Sequence, residues 1–126
     1  MPHLILNYTS NIDPPLDFGS LFLKLHTILN SIAGIEINNC KSRAQKLENY
    51  FISRGESEKA FIHLDVNFLE GRSAKIKKKI GNLCLDTIKE YCTSYLTKKD
   101  LQITVEIRDI RKEFYFKYPG SLPSAK

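Results

Sequence analysis

The order of hydrophobic patterns in this chain repeats itself, and the repeat limits the folds that the chain can adopt. An apolar, β-prone run over residues 3–9 precedes a helical pattern that starts near Asp17, and a polar, basic strand pattern follows over 40–51. The same order starts again at Phe61. Right-handed crossovers place the helices of two such units on one face of a sheet. The sequence therefore predicts a two-layer α+β fold of duplicated β-α-β units, with a four-stranded mixed sheet and two helices on one face.

Both predicted helices carry apolar residues at three- and four-residue steps, so each helix is expected to bury one stripe. Gly34 is typical of a helix C-cap and Ser73 of a helix N-cap, which sets the end of the first helix and the start of the second. The first stripe comprises Phe18, Leu21, Phe22, Leu25, Leu29 and Ile32, and the second comprises Ile76, Ile80, Leu83, Cys84, Ile88, Tyr91 and Tyr95.

The two strands of the second unit alternate between apolar and polar residues, which is typical of strands with one buried face. Because both helices are predicted on the same side, the other face of the sheet is left bare. Such a face either binds something flat or is covered by other subunits. The buried sets are Ile62, Leu64, Val66 and Phe68 in the third strand and Leu101, Ile103, Val105 and Ile107 in the fourth.

At 126 residues the chain is long enough for one domain, and we predict a single domain over residues 1–126. Its first repeat covers about 2–54, its second about 60–110, and a C-terminal extension covers 111–126. The stretch 113–119 is rich in aromatic residues. We therefore expect it to pack on the domain or on a neighbour.

Composition narrows the function classes. No apolar run approaches the length of a membrane span and the start lacks signal-peptide features, so we expect a cytoplasmic protein with no membrane partner. Three cysteines without metal-ligand spacing indicate reduced structural thiols and no metal site. The net charge of +5 favours anionic partners, but it does not choose between a nucleic acid and a small carboxylate.

Pro2 is the first candidate for chemistry. Methionine before a small residue is normally removed, which would leave a secondary amine at the head of a buried strand. An α-amine has an ordinary pKa of ~7.7–8.0, and both burial and nearby cations lower it towards working pH. A proton carrier is most effective there. Met-Pro starts are also common without any such role, so Pro2 needs support from other residues.

Three cations give that support. Arg72 lies in the loop between the third strand and the second helix, where a guanidinium can bind a carboxylate through two hydrogen bonds. Lys41 and Arg43 alternate with Ser42, so their side chains share one face of the second strand. Two cations on one face repel each other unless an anion lies between them. Surface ion pairs are the alternative reading for each residue.

Together these residues resemble the tautomerase superfamily and, within it, the 5-carboxymethyl-2-hydroxymuconate isomerases. The resemblance covers essentially the whole chain. It is carried by Met1-Pro2-His3, Lys41-Ser42-Arg43-Ala44, Ala60-Phe61-Ile62-His63, Gly71-Arg72-Ser73 and Phe116-Lys117.

This resemblance implies a homotrimer that needs no cofactor, with Pro2 as general base and acid. Arg43, Arg72 and Lys41 would hold the carboxylates of a dienol diacid or triacid and stabilise the dienolate. The implied reaction is a 1,3-allylic proton shift that converts a 2-hydroxymuconate-type dienol to its conjugated 2-oxo isomer. Lys41 stands where the family pattern has arginine; it keeps the charge but loses the bidentate fork.

Other readings of the same residues remain open. A ferredoxin-like RNA-binding module has the same element order. Its basic-aromatic-glycine constellation is missing here, so we expect no nucleic-acid partner. A tautomerase fold that has lost activity and serves as a binding module is also possible. His3 and His63 are interpreted as strand histidines with satisfied hydrogen bonds. The basic run of Lys75, Lys77, Lys78 and Lys79 is interpreted as a solvated helix face.

Overall fold

The elements of the computed structural model, which describes residues 1–12, 16–93 and 100–120, follow the predicted order. The predicted α+β class, with two helices on a four-stranded mixed sheet, is confirmed. Two short 3₁₀ turns, Ile37–Asn39 and Lys112–Phe114, lie outside the main elements. The main elements are β1 (His3–Thr9), α1 (Phe18–Ala33), β2 (Lys41–Leu47), β3 (Lys59–Leu69), α2 (Ala74–Thr93) and β4 (Asp100–Ile110).

The sheet order is β2-β1-β3-β4. Each β-α-β unit forms a parallel pair, with His3 opposite Lys41 in one and Phe61 opposite Gln102 in the other. The two units meet through β1 and β3, which are antiparallel and pair His3 with Asn67. In a ferredoxin-like split unit, a further strand separates the two strands of one unit. Here they are direct neighbours, so the ferredoxin-like alternative is wrong.

The helices begin and end where the caps predict. Asp17 accepts a hydrogen bond from the backbone N–H of Ser20 at 3.3 Å, and Gly34 ends α1 with a φ of 67°. That left-handed conformation is easily reached by glycine alone, which explains the stop. The hydroxyl of Ser73 accepts from the N–H of Ile76 at 3.2 Å and caps α2.

The core forms between the two helices and the sheet face beneath them. The predicted alternation of β3 is confirmed, and the apolar side of β4 is half-buried. On α2 the buried row runs at four-residue steps to Cys92, whereas the predicted Leu83 lies beside this row and is only half-buried. Tyr95 lies outside the described residues. The fully or almost fully buried centre includes Leu4, Leu6, Leu21, Leu25, Leu29, Ile62, Leu64, Val66, Ile80, Cys84 and Ile88.

The second strand is shorter than predicted, because it ends at Leu47 and not near Phe51. It is an edge strand whose partner, β1, ends at Thr9, opposite Leu47. Residues beyond Leu47 therefore have no strand to pair with.

Three further expectations can be compared with the structure. All three cysteines are free thiols, as predicted. No helix among the described residues has the length and apolar character needed to cross a membrane. The lysine run is largely exposed, as predicted, although Lys77 is half-buried and pairs with Asp109 at 3.1 Å.

The aromatic C-terminal stretch is attached to its own domain by a side-chain hydrogen bond of Tyr115. The Tyr115 hydroxyl lies 2.8 Å from Nε2 of His3. By contrast Phe114, Phe116 and Tyr118 are 66%, 86% and 96% exposed. Packing of these three on the domain is therefore wrong, and packing on a neighbour stays a prediction.

Candidate active site

Pro2 lies at the end of the sheet where β1 begins and β3 ends. The antiparallel register, with His3 opposite Asn67, brings the head of β1 beside the loop that carries Arg72. Pro2 is buried, and its carbonyl accepts a hydrogen bond from the N–H of Lys41 at 3.1 Å. A cavity of about 300 Å³, here named the Pro2 cavity, opens beside it. Its lining residues are Met1, Pro2, Gly34, Ile35, Glu36, Asn39, Phe68, Leu69 and Arg72.

Arg72 is half-buried in the Pro2 cavity and is incompletely hydrogen-bonded. Its NH1 donates to the carbonyl of Leu69 at 3.2 Å, and its guanidinium carbon lies 5.3 Å from the centre of the Phe68 ring. Its Nε is buried and has no hydrogen-bond partner among the described residues. A buried donor without a partner is unfavourable unless a ligand supplies an acceptor. A carboxylate would supply it.

The amino-terminal group lies among cations. The Met1 ammonium donates to the carbonyl of Asn39 at 2.6 Å, and the Lys41 ammonium donates to the same oxygen at 3.3 Å. Burial, and next the charge of Lys41, lower the pKa of the Met1 amine from 8.0 to about 6, with a smaller contribution from Lys117. The neutral form of an amine at this position is therefore favoured near neutral pH.

Arg43 lies apart from the Pro2 cavity of its own chain. It points to the sheet face that the helices leave uncovered, here named the open face, and its NH1 lies 3.3 Å from Nδ1 of His3. Ser42 points to the helix side, where its hydroxyl lies 2.6 Å from Nε2 of His26. The predicted shared face of Lys41 and Arg43 thus agrees with the structure. Only Lys41 lies near the amino terminus, however.

Both strand histidines have hydrogen-bond partners, as the sequence predicted. Because arginine can only donate, Nδ1 of His3 accepts from Arg43, and Nε2 carries the proton towards Tyr115. Burial, and then the charge of Arg43, lower the pKa of His3. His63 lies between the Thr104 hydroxyl at 2.6 Å and the Asp65 carboxylate at 3.1 Å.

One cluster among the described residues has donor atoms close enough for a metal ion. It consists of His63, Asp65 and Glu106, with the donor atoms within 4.8 Å of one another. The guanidinium of Arg108 already binds both carboxylates, with Nε at 3.5 Å from Asp65 and 3.2 Å from Glu106. This cluster is therefore an ion-pair network on the open face, and none of its residues lines the Pro2 cavity.

Sequence reasoning missed a second cavity, of about 440 Å³, on the other side of the amino terminus. The motif Phe116-Lys117 was the available signal, but nothing in the sequence gave it a location. A larger groove of about 930 Å³ runs along α1 and α2, and none of the predicted site residues lines it. We name the cavity of about 440 Å³ the C-terminal cavity. Its lining residues are Met1, Asn39, Lys41, Tyr115, Phe116, Lys117, Tyr118 and Pro119.

Several solved structures share this fold. The structure superposes on a member of the cis-3-chloroacrylic acid dehalogenase family with a TM-score of 0.73 at 16% identity, covering 96% of this chain and 83% of that one. It superposes equally well, at 0.73 and 17% identity, on a fused 4-OT described as a symmetric trimer, covering 94% and 93%. This is the fold of the tautomerase superfamily.

Within this superfamily, the chain belongs to the 5-carboxymethyl-2-hydroxymuconate isomerase family, whose model matches residues 2–119. A 5-carboxymethyl-2-hydroxymuconate isomerase from Deinococcus radiodurans R1 is 27% identical, with a TM-score of 0.83 over 92% of this chain and 87% of that one. The 5-carboxymethyl-2-hydroxymuconate Delta-isomerase of Escherichia coli is 23% identical over 117 residues, 93% of either chain. The predicted family is confirmed, and the chain is a cofactor-independent isomerase by family.

Proposed function

We propose that this isomerase uses Pro2 to move a proton within a 2-hydroxymuconate-type dienol carboxylate, giving the conjugated 2-oxo isomer. One observation carries the proposal. Pro2 and Arg72 line the same cavity, and the buried Nε of Arg72 lacks a partner within the described structure. A base and an unsatisfied donor for a carboxylate, both in one cavity, fit an enolisable carboxylate substrate.

The mechanism begins with removal of Met1, which converts the nitrogen of Pro2 into a free secondary amine. Burial and the charges of Lys41 and Lys117 depress the pKa of the Met1 amine. The same surroundings favour the neutral form of an amine one residue further on. Neutral proline can then accept a proton at working pH and return it, as a general base and acid.

The proton balance is simple. The amine takes one proton from the substrate and leaves a dienolate, whose charge spreads from the 2-oxygen to carbons 3 and 5. The prolinium then gives a proton to carbon 5, so the product is the conjugated 2-oxo isomer. From the dienol the amine removes the proton of the 2-hydroxyl. From the unconjugated 2-oxo tautomer it removes a proton from carbon 3, and the transfer from carbon 3 to carbon 5 is then the 1,3-allylic shift. No redox step is required.

Cations hold the substrate and stabilise the dienolate. Arg72 binds one carboxylate through Nε and its neighbouring NH group, in a site where its charge is half-buried. Lys41 lies at the amino terminus and favours negative charge there. A positive group that faces developing negative charge lowers the barrier without moving.

Arg43 is assigned to carboxylate binding across a subunit interface. It faces away from the Pro2 cavity of its own chain and lies on the open face. The fused 4-OT relative is described as a symmetric trimer. We propose that this chain forms a homotrimer as well, in which the open face is covered and Arg43 reaches the Pro2 cavity of a neighbour.

The test combines intact mass with a ketonisation assay on 2-hydroxymuconate. We expect a mass without methionine and turnover that falls about 10²-fold or more in Pro2→Ala, the scale of general acid–base catalysis. Lys59→Gln, at the opposite end of the sheet, is the matched control and keeps its turnover. Retained methionine, or full activity of Pro2→Ala, contradicts the mechanism. A processed protein that turns over no such diacid supports the inactive binding module instead.

A further inference from the structure

The amino terminus separates two cavities. The mechanism above places the reacting part of the substrate in only one of them, the Pro2 cavity. Met1 and Asn39 line both the Pro2 cavity and the C-terminal cavity. The Pro2 cavity contains Arg72, whereas the C-terminal cavity contains Lys41 and Lys117. A molecule that reaches from one cavity into the other therefore passes the amino terminus and meets positive charge at each end.

The C-terminal cavity has the charge of an anion site. No carboxylate lies among its lining residues. Neither Lys41 nor Lys117 forms an ion pair with any residue that the structure describes. Both charges also lower the pKa of the Met1 amine, so both act on the place where the two cavities meet. An anionic ligand would bring the two ammonium groups the counter-charge that the described residues do not provide.

The C-terminal segment that forms this cavity is held by the elements of the Pro2 site. The backbone N–H of Lys112 donates to the Glu70 carboxylate at 2.8 Å, and Glu70 lies two residues before Arg72. Tyr115 lies 2.8 Å from His3, the residue after Pro2. These two contacts hold the segment beside the site as far as Tyr115, two residues before Lys117.

We propose that the C-terminal cavity binds the second carboxylate of a dicarboxylate substrate, with Lys117 as the residue that selects dicarboxylates over monocarboxylates. Arg72 binds the first carboxylate in the Pro2 cavity, and the reacting carbons lie between them, beside Pro2. Lys41 contributes charge to the same end as Lys117. This inference rests on the proposed function for the orientation of the substrate, but its binding step does not require turnover.

The experiment compares two ligands that share a six-carbon diene and differ in one carboxylate. Calorimetric titrations of trans,trans-muconate and sorbate are made with the wild type, Lys117→Gln and Lys117→Arg. Lys89→Gln, which removes an exposed cation from α2, is the matched control. We expect Lys117→Gln to weaken muconate binding about tenfold, the scale of one charge-assisted hydrogen bond. Sorbate binding should be unchanged, and Lys117→Arg should retain the preference for muconate.

The outcomes separate this inference from the proposed mechanism. If Pro2→Ala retains full turnover but Lys117→Gln still loses its preference for muconate, the inference stands and the proline mechanism fails. Equal effects of Lys117→Gln on both acids overturn the inference while leaving the proline mechanism in place. A matching loss in Lys89→Gln, or a wild type that binds neither acid, also overturns it.

Discussion

The two ends of the sheet are built from equivalent parts but differ in how completely their polar groups are paired. At one end β1 and β2 begin, with Pro2 and Lys41; at the other β3 and β4 begin, with Lys59 and Asp100. We name them the Pro2 end and the Lys59 end. Each unit pairs its two strands in parallel, so the same chain geometry is present twice.

The Lys59 end satisfies its charged groups internally. The Lys59 ammonium lies 2.8 Å from the Asp100 carboxylate. The buried Thr9 hydroxyl accepts from the N–H of Phe61 at 3.2 Å, and the Asn11 amide donates to the carbonyl of Lys59 at 2.7 Å. The Oδ1 of Asn11 is buried without a donor among the described residues, but it belongs to a neutral amide. Charge is therefore balanced at this end.

The Pro2 end leaves charged donors unpaired. Arg72 buries an Nε without a partner in the described part of the chain, and the ammonium groups of Met1 and Lys41 share one carbonyl. The fold tolerates both arrangements, so the fold alone does not require unpaired charge. Unpaired, partly buried charge is unfavourable for stability and useful for binding an anion. The unpaired charges therefore indicate that the anion-binding site lies at the Pro2 end of the sheet.

Among the charged side chains of the two ends, the largest expected effect is at Arg72. In Arg72→Leu we expect kcat/KM to fall about 10²-fold, because about 1.5–3 kcal/mol is lost with a charged hydrogen bond to the substrate. We expect the free energy of unfolding to stay level or rise by about 1 kcal/mol, since a buried unpartnered donor is removed. Arg72→Lys keeps the charge and should fall between the wild type and Arg72→Leu. Urea denaturation and steady-state kinetics check both expectations. Strong destabilisation with unchanged turnover would make Arg72 a structural residue.

The matched change at the Lys59 end should act in the opposite way. Thr9→Val keeps the shape of a fully buried side chain but leaves the N–H of Phe61 without an acceptor. We expect the free energy of unfolding to fall by about 1–3 kcal/mol, with turnover of the folded protein unchanged. Urea denaturation and an activity assay measure the two quantities. A loss of turnover without destabilisation would remove the distinction between the ends.

Removing the charge of Lys41 should shift a pH profile. Lys41 lowers the amino-terminal pKa, so Lys41→Gln should raise it towards the ordinary value. The acid limb of kcat/KM then moves to higher pH, and the rate at alkaline pH changes less than the rate at acid pH. In the chain that retains Met1, the amine pKa falls from 8.0 in the unfolded chain to about 6 on folding. Stability therefore rises with pH across that window, and the rise should be smaller in Lys41→Gln. An unmoved acid limb would show that Lys41 does not act on the base.

The smallest effect is expected at Lys59. The Lys59 side chain is 24% exposed and the Asp100 side chain 55% exposed, and an ion pair that solvent reaches contributes little to stability. Lys59→Gln should leave turnover unchanged and lower the thermal midpoint only slightly. Thermal unfolding monitored by circular dichroism makes the comparison. A large change in turnover would show that the Lys59 end also takes part in function.

The features that could be predicted are those that depend on residues close together in the sequence. Periodicity predicted both helices and the buried face of β3, glycine predicted the end of α1, and serine predicted the start of α2. Pro2 and Arg72 were predictable because each lies beside a recognisable strand or turn. The end of β2 was not, because it depends on where its partner, β1, ends.

The relation of Arg43 to Pro2 and the place of the C-terminal segment were missed for a different reason. Arg43 lies on the strand face that was predicted for it, where it contacts His3. Pro2 precedes His3 and is buried, so it lies on the helix side of the sheet. The contact between His3 and Tyr115 joins residues 112 positions apart. No local pattern encodes such a contact, so Lys117 could be noticed in the sequence but not placed.

The most direct test of the account is an NMR titration of the ¹⁵N-labelled Pro2 nitrogen in the purified protein. The account predicts a free secondary amine whose pKa lies below the ~7.7–8.0 of an ordinary α-amine. Unpaired cations at the Pro2 end would then keep it neutral at working pH. A Pro2 nitrogen that remains an amide, or an amine that titrates at or above the ordinary value, would contradict the claim that this end of the sheet is built around a proline base.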